Sequence, residues 1–383
     1  MTPDPNDHDV QWMQRALRLA KRGYYSSMPN PRVGCVVVKD GQCVGEGAHI
    51  RAGGPHAEIH ALKAAGNNAA GATAYVTLEP CAHHGRTGPC AEALVNAGIA
   101  RLVVAMADPN PLVAGRGLAR CREAGITVRV GVCEDDAEQL NAGFNQRMRE
   151  GRPRVTLKLA MSLDGRSAMA NGQSQWITGP AARRDVQRLR AASSAIVTGV
   201  GSIVQDDSRL TVRDDEAGFS ADTERAAQPP LRVVVDTHLR TPLSARILQG
   251  ESETIIATCT EDSARMAAFE TAGATLWRLP CVNGHVDLQA LLAQLASERQ
   301  CNDVLVEAGA TLAGSCWQAG LADELVLYIA PVFLGSTAKP LMVLPLQEMC
   351  EKYSLRITQT RAVGHDWKVT AVPNGQGNEP PQR

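Results

Sequence analysis

No apolar run in the 383-residue chain approaches the ~20 residues that a membrane-spanning helix needs, so none is expected. Charge of one sign is missing as well. Lys and Arg total 39 against 40 Asp and Glu, a formal net charge of -1. Such a chain has no global means of gripping a polyphosphate backbone, which disfavours a dedicated nucleic-acid binder but leaves local basic patches open. The first residues, MTPDPNDHD, are acidic and polar, unlike a signal or transit peptide, and a cytosolic location is expected. Cysteine is plentiful at eleven, but the number is odd and the residues are spread from Cys35 to Cys350. In a reducing compartment most would be small buried apolar residues. There is no internal repeat, and no G-x-G-x-x-G follows any strand, so a Rossmann dinucleotide site is not supported.

What is present is an ordinary globular balance, 44% hydrophobic and 21% charged, which excludes a mainly disordered, collagen-like or coiled-coil protein. At roughly 150 residues per domain, the length predicts two domains, with room for a third. Val10, Met13, Ala16, Leu17 and Ala20 recur at helical spacing, and Gly23 supplies a stop. VGCVVVKDGQCVGEGAH reads as a hairpin turning at Asp40-Gly41. Residues 56–66 and 90–98 read as helices and 72–80 as a strand. ARLVVAMADP and GITVRVGV follow as strands, with the helix ARCREAG between them. FNQRMREGRP, ending at 153, reads as a linker. A second alternating series follows, with strands at VTLKLAM, SAIVTG, LRVVVD, TIIATC, DVLVEAG and ELVLYIAP. Helices are expected at PAARRDVQRLRAA and DLQALLAQLASERQ, and a terminal antiparallel pair at YSLRITQT and DWKVTAVP. Residues 214–230 look like a flexible excursion and 374–383 like a disordered tail. The expected class is α/β in two layered domains, 1–150 and 151–373.

The chemistry concentrates in Pro55-His56-Ala57-Glu58 and in Pro80-Cys81 through Pro89-Cys90. Catalytic zinc takes three N or S ligands and keeps a fourth position for water. His56, Cys81 and Cys90 would make that set. Cys90 opens a helical stretch, whose free N–H groups favour thiolate. Zinc lowers the pKa of bound water from 15.7 to about 7 in favourable sites, and Glu58 could carry the proton to a leaving amine. Buried thiols or a disulfide would explain two cysteines but neither the paired prolines nor the His-x-Glu upstream. His56 and His60 are four apart, as metalloprotease ligands would be, but Ala57 stands where that pattern needs Glu. A structural zinc usually has four protein ligands, so a catalytic site is preferred.

His-Ala-Glu followed by Pro-Cys and a second Cys resembles the zinc-dependent cytidine and deoxycytidylate deaminase superfamily, which removes an exocyclic amine hydrolytically. The usual two-residue gap between the cysteines is here eight residues. That longer loop, HHGRTGPC, is similar to the deaminase half of the bifunctional riboflavin-biosynthesis deaminase/reductases, as are Asn30-Pro31-Arg32-Val33-Gly34 and Gly47-Ala48-His49. The resemblance implies that Asn30, His49, His83 and Arg86 contact the ring and phosphate of a pyrimidine ribotide. Each of the four reads equally well as a solvated loop residue or turn cap. A guanidinium fork at Arg86 suits phosphate, and a small ribotide is preferred over a polymer, which would need a basic channel. Asn110 reads as a turn residue.

Gly199-Val-Gly201-Ser202 follows the SAIVTG strand and would let backbone N–H groups approach a phosphate, although on the residues alone a tight turn is the preferred reading. Glu307-Ala-Gly309-Ala-Thr311-Leu-Ala-Gly314 is a second such turn, and the two could hold a dinucleotide between them. KLAMSLDGRSA, SQWITGPAARRDVQRLR, VGSIVQDDSRLTVR and VEAGATLAG resemble the reductase half of the same family, with a dihydrofolate reductase-like fold. That resemblance implies NADPH-dependent reduction of a ribosylamino to a ribitylamino group. It places Ala160, Trp176, Ser202, Asp206, Thr237 and the run Gly309, Ala310, Thr311, Leu312, Ala313, Gly314 and Ser315 at the cofactor. It places Ser174, Arg190, Leu210, Arg213 and Glu307 at the substrate, with both arginines suited to its phosphate. The residues alone allow Trp176 as core, Leu210 as packing, Arg190 on an exposed helix face and Asp206-Asp207 as a solvated turn. Asp206 is the candidate proton donor. The expected cofactors are Zn2+ and NADPH, and a homo-oligomer, guessed as a dimer, is expected. The rivals are a tRNA or free-nucleobase deaminase with an unrelated second domain, and a zinc-stabilised binding module whose chemistry has lapsed.

Overall fold

The computed structural model describes residues 5–82, 88–111, 113–226, 228–250 and 252–374. His83, Arg86 and the tail from 375 on fall outside the described residues. The chain forms two compact units. The first is Met1–Arg152 with Ala221–Ala227, and the second is Pro153–Ser220 with Gln228–Arg383. Among the described residues no helix is long and apolar enough to cross a membrane.

The first unit is a five-stranded sheet in the order β2-β1-β3-β4-β5. Its strands are β1 Gly34–Lys39, β2 Gln42–Ala48, β3 Thr73–Leu78, β4 Arg101–Met106 and β5 Thr127–Val130. β1 runs antiparallel to β2 and β3, and β3, β4 and β5 are parallel. The Asp40-Gly41 turn of the hairpin has φ of 51 and 72°, the positive pair that a two-residue turn between twisted strands requires. The helices are α1 Pro5–Ala20, α2 Ala57–Ala65, α3 Cys90–Asn96, α4 Arg116–Glu123, α5 Glu134–Leu140 and α6 Ala142–Glu150. Helix α1 is tied to the sheet by buried Asp9, which accepts from Tyr75 Oη at 3.0 Å, Arg101 Nη2 at 2.6 Å and Arg129 Nη1 at 2.8 Å. Helix α2 lies on β2 closely enough that a Cβ at Gly45 would stand 2.2 Å from the Ala61 carbonyl oxygen and one at Gly47 2.5 Å from that of Ala57. Gly47 seats the start of α2 and Gly45 its later turns.

Two expectations need correction. FNQRMREGRP is not a linker: most of it is helix α6, ending at Glu150, and only its last residues join the units. Buried Asn145 fixes that helix by donating to Glu138 Oε2 at 2.7 Å, and Arg149 pairs with the same carboxylate. The segment 214–230 opens with a short helix, Asp214–Ala217, whose Ala217 is buried.

The second unit holds a nine-stranded sheet in the order β11-β10-β9-β8-β14-β6-β15-β18-β17. On the chain these begin with β6 Arg154–Ser162, β8 Ala195–Gly199, β9 Leu231–Val235, β10 Thr254–Thr258 and β11 Thr275–Arg278. They continue with β14 Asp303–Val306, β15 Glu324–Ala330, β17 Leu355–Val363 and β18 Asp366–Pro373. Two small ladders complete the set, β7 Arg166–Ala168 with β16 Lys339–Pro340, and β12 Cys281–Val282 with β13 His285–Val286. From β11 to β15 the sheet is parallel, and β18 and β17 add antiparallel at the edge, as expected for the terminal pair.

Parallel strands buried on both faces require apolar side chains in succession. Val197, Val233 and Ile255 share one core with Leu291, Leu295 and Trp317 of helices α11 (Leu288–Glu298) and α12 (Ala310–Gln318). Their chain neighbours Ile196, Val234 and Ile256 enter the opposite core with Ile203 and Phe269, of α8 (Val200–Asp206) and α10 (Ser263–Thr271). After β8 the chain moves outward to β9. After β14, its neighbour, the chain crosses β6 to reach β15. Neighbouring strands whose chains leave in opposite directions open a crevice at their carboxyl ends.

Candidate active sites

In the first unit three ligand atoms converge. His56 occupies the position before the first turn of α2, and Cys90 is the first residue of α3. Cys81 follows β3. His56 Nδ1 lies 3.2 Å from Cys90 Sγ and 3.6 Å from Cys81 Sγ, and all three donors lie within 4.8 Å of one another. The backbone N–H of Cys90 donates to Cys81 Sγ at 3.3 Å, and that of Ala91 to the Cys81 carbonyl at 3.1 Å. Donation from the Cys90 side chain, with help from His56, holds the Cys81 thiol down at about 4. Cys90 is pushed up by the sulfur it bonds and by burial. One nitrogen and two sulfurs, one already poised as thiolate, fit a zinc ion with a position to spare.

Glu58, on the first turn of α2, is 3% exposed and touches the Cys90 thiol. Burial lifts its carboxyl to about 7. His49 Nδ1 stands 3.1 Å from the Pro55 carbonyl oxygen, so that nitrogen donates, and Nε2 then accepts from Asn30 Nδ2 at 3.1 Å. Burial lowers the His49 pKa and keeps the ring neutral. Its ring meets His56 edge-on at 5.4 Å. Asn30, His49, His56, Glu58, Cys81 and Cys90 thus form one cluster. Asn110 makes the expected turn, its N–H donating to Asp108 Oδ1 at 2.9 Å. Sequence reasoning passed over Glu79, a buried carboxylate immediately before Pro80-Cys81.

In the second unit the turns after β8 and β14 stand side by side, because the two strands are paired through Ala195↔Val304 and Val197↔Val306. A Cβ at Gly201 would meet nothing within 4 Å, and one at Gly309 only Ser202 Oγ at 3.9 Å. Both turns therefore have open room over their backbones, which fits a dinucleotide phosphate. Ser174 Oγ donates to Asp206 Oδ1 at 3.4 Å, and burial raises the Asp206 pKa. Glu307 receives Arg190 Nε and Nη2 at 2.5 and 3.0 Å, and Lys158 Nζ at 3.4 Å. Despite burial, those two cations hold its carboxyl down at about 2. Lys158, on β6, was not singled out in the sequence.

The remaining expected residues are more scattered. Trp176 is not core: it is 65% exposed, with the Arg183 guanidinium 4.7 Å over its ring. Leu210 is packed among Ile203 and Leu239. The Arg213 side chain pairs with Glu216 at 3.0 Å. The Thr237 carbonyl accepts from Thr258 Oγ1 at 3.0 Å, and Ala160 packs beside the core of Val326 and Tyr328. Within the run 309–315, Leu312 sits beside Gly199 and Ser315 Oγ donates to the Thr311 carbonyl. Ala313 lies in the core, and a Cβ on Gly314 would stand 2.1 Å from the Val343 carbonyl oxygen. Gly309, Thr311 and Ser315 reach the surface, whereas Ala313 and Gly314 are buried.

A metal-type deaminase cluster in one α/β unit and a switch-point crevice in another define a tandem deaminase and reductase. Residues 6–106 match the cytidine and deoxycytidylate deaminase zinc-binding region, and residues 153–369 the RibD C-terminal domain. The chain is 52% identical to the riboflavin biosynthesis protein RibD of Escherichia coli over 94% of this chain and 97% of that one. It is 46% identical to that of Haemophilus influenzae over 97% and 99%. The solved Acinetobacter baumannii RibD superposes with a TM-score of 0.89 at 44% identity, covering 97% of this chain and all of that one (100%). A diaminohydroxyphosphoribosylaminopyrimidine deaminase/5-amino-6-(5-phosphoribosylamino)uracil reductase from Thermotoga maritima does so at 0.84 and 30% identity, covering 97% and 100%. The chain belongs to the RibD family, the bifunctional deaminase/reductases of riboflavin biosynthesis. Its cofactors are zinc and NADPH.

Proposed function

We propose that the first unit deaminates 2,5-diamino-6-ribosylamino-4(3H)-pyrimidinone 5′-phosphate. The second unit then reduces the ribosyl side chain of the product, giving 5-amino-6-ribitylamino-uracil 5′-phosphate. The observation that carries this reading is the Glu58 carboxyl, buried against a His-Cys-Cys donor set. When bound, zinc supplies Lewis acidity toward water, and NADPH supplies the two electrons of the reduction. His56, Cys81 and Cys90 would hold the metal. A carboxyl titrating near 7 takes a proton from attacking water and returns it to the departing amine at neutral pH. Neutral His49 orients the Asn30 carboxamide toward the ring. Arg86 takes the ribose phosphate, because a guanidinium fork matches phosphate oxygens.

In the second unit the turns at Gly199–Ser202 and Gly309–Thr311 receive the cofactor. Asp206, whose pKa is raised by burial, stands beside Ser174 as the proton donor we assign to the reduction. Glu307 sets Arg190 and Lys158 toward the substrate. The protein acts in the cytosol and as a dimer; the feature that supports the dimer is the edge strand β17, with Leu355 and Ile357 exposed. The test follows ammonia release and NADPH absorbance together on the diaminopyrimidine ribotide. Ammonia release followed by NADPH consumption supports the reading. A zinc-loaded protein that releases no ammonia from this ribotide refutes the substrate assignment.

A further inference from the structure

Glu79 comes immediately after β3 and is followed directly by Pro80 and the metal ligand Cys81. Its carboxylate is buried and accepts four backbone N–H groups, all from one distant stretch of chain. Oε2 takes Asp108 at 3.1 Å and Gly115 at 2.9 Å, and Oε1 takes Gly117 at 3.0 Å and Leu118 at 3.3 Å. Gly115, Gly117 and Leu118 form the start of α4, whose unpaired N–H groups need acceptors. A second contact fixes the same place. A Cβ on Gly117 would stand 1.8 Å from the Pro80 carbonyl oxygen, so the α4 backbone lies directly against the residue before Cys81. On its other side Cys81 is held by α3, through the N–H groups of Cys90 and Ala91. Helices α3 and α4 are themselves joined by Glu92 and Arg120, at 2.5 and 3.0 Å.

We propose that Glu79 is a positioning residue of the deaminase centre, which pins the start of α4 to the metal loop and so fixes where Cys81 presents its sulfur. It touches neither substrate nor metal. A carboxylate is required because its two oxygens accept four N–H groups, whereas a glutamine carboxamide would offer one oxygen and turn a donor toward two donors. Partners of this kind typically change metal affinity by 10–100-fold when replaced.

The inference rests on the deaminase reading, but its main readout needs no substrate. Zinc-loaded full-length protein is challenged with a chromogenic chelator, and the rate of zinc release is followed for wild type, Glu79→Gln, Glu79→Asp and Gly117→Ala. Release at least about tenfold faster for Glu79→Gln is expected from that range, with partial recovery in Glu79→Asp. Deaminase kcat should fall while KM stays within about twofold, and NADPH oxidation on the deaminated intermediate should be unchanged. Gly117→Ala keeps the carboxylate but forces Pro80 away, and should also release zinc faster. It carries the test if Glu79→Gln does not fold. A folded Glu79→Gln with wild-type zinc release and kcat overturns the inference, as do wild-type release rates in both Gly117→Ala and Glu79→Asp. Wild type that holds no zinc would instead overturn the metal-site reading beneath it.

Discussion

Glu58 shows how much of this chemistry is set by one side chain's surroundings. A carboxyl on an exposed helix would be ionised at neutral pH, but here burial holds it at about 7. Replacing it with Gln should cut ammonia release by about 10²–10⁴, the usual range for general acid–base catalysis, with zinc content unchanged. NADPH consumption should return when the deaminated intermediate is supplied. Loss of zinc from Glu58→Gln would show that the residue builds the site instead of moving a proton. His56, Glu58, Cys81 and Cys90 were legible in the sequence because ligands and acid sit on adjacent turns in short motifs. Glu79 and Lys158 were not, because their meaning lies in partners far along the chain. Glu79 meets Gly117 across 38 residues, and Lys158 meets Glu307 across 149. No local pattern reports such a pairing.

Among the elements, β14, β6 and α7 (Pro180–Ala191) meet at the Glu307 carboxylate, which takes Lys158 from β6 and Arg190 from α7. The folded carboxyl lies at about 2 against an ordinary 4.5. Its folded pKa is thus depressed, so its stabilisation is complete above about 4.5 and is lost as pH falls toward 2. The drop corresponds to at most about 3 kcal/mol. Glu307→Gln would leave two cations buried without their partner, and should destabilise the second unit by about 3–5 kcal/mol at pH 7. Urea midpoints at pH 7 and pH 3 check this: the gap between wild type and variant should narrow in acid, and a gap independent of pH would refute it. Most strands were readable because β-branched runs buried on both faces leave an unambiguous mark. Helix α6 was not, because its buried residues include Gly143 and Asn145, polar or featureless in sequence, and long-range hydrogen bonds hold it. The Asp214–Ala217 turn escaped for a similar reason, since one buried alanine in an acidic segment carries no period.

At the scale of the whole molecule, the sheet of the second unit ends in β17, a nine-residue edge strand that exposes Leu355 at 40% and Ile357 at 62%. An edge strand presents a row of backbone groups that can pair with another chain. If a second copy covers it, Ile357→Lys should convert the dimer to monomer in light scattering, with the deaminase rate preserved. An unchanged mass would place any interface elsewhere. The first unit, in turn, is not one stretch of chain, because it takes in Ala221–Ala227 from the later half. Ala226 donates its N–H to the Tyr25 carbonyl at 2.8 Å, and Glu224 meets Arg51 at 3.0 Å. The ion pair is exposed and worth about 0–1 kcal/mol, so the segment's order depends mainly on the unit it joins. Metal binding stabilises the fold that contains the site. Stripping zinc should therefore speed hydrogen exchange at Ala226 together with the metal-bearing unit, while the amide of Ala217, in the second unit, keeps its rate. Exchange at Ala226 that ignores the metal would show that the segment opens independently of the deaminase fold.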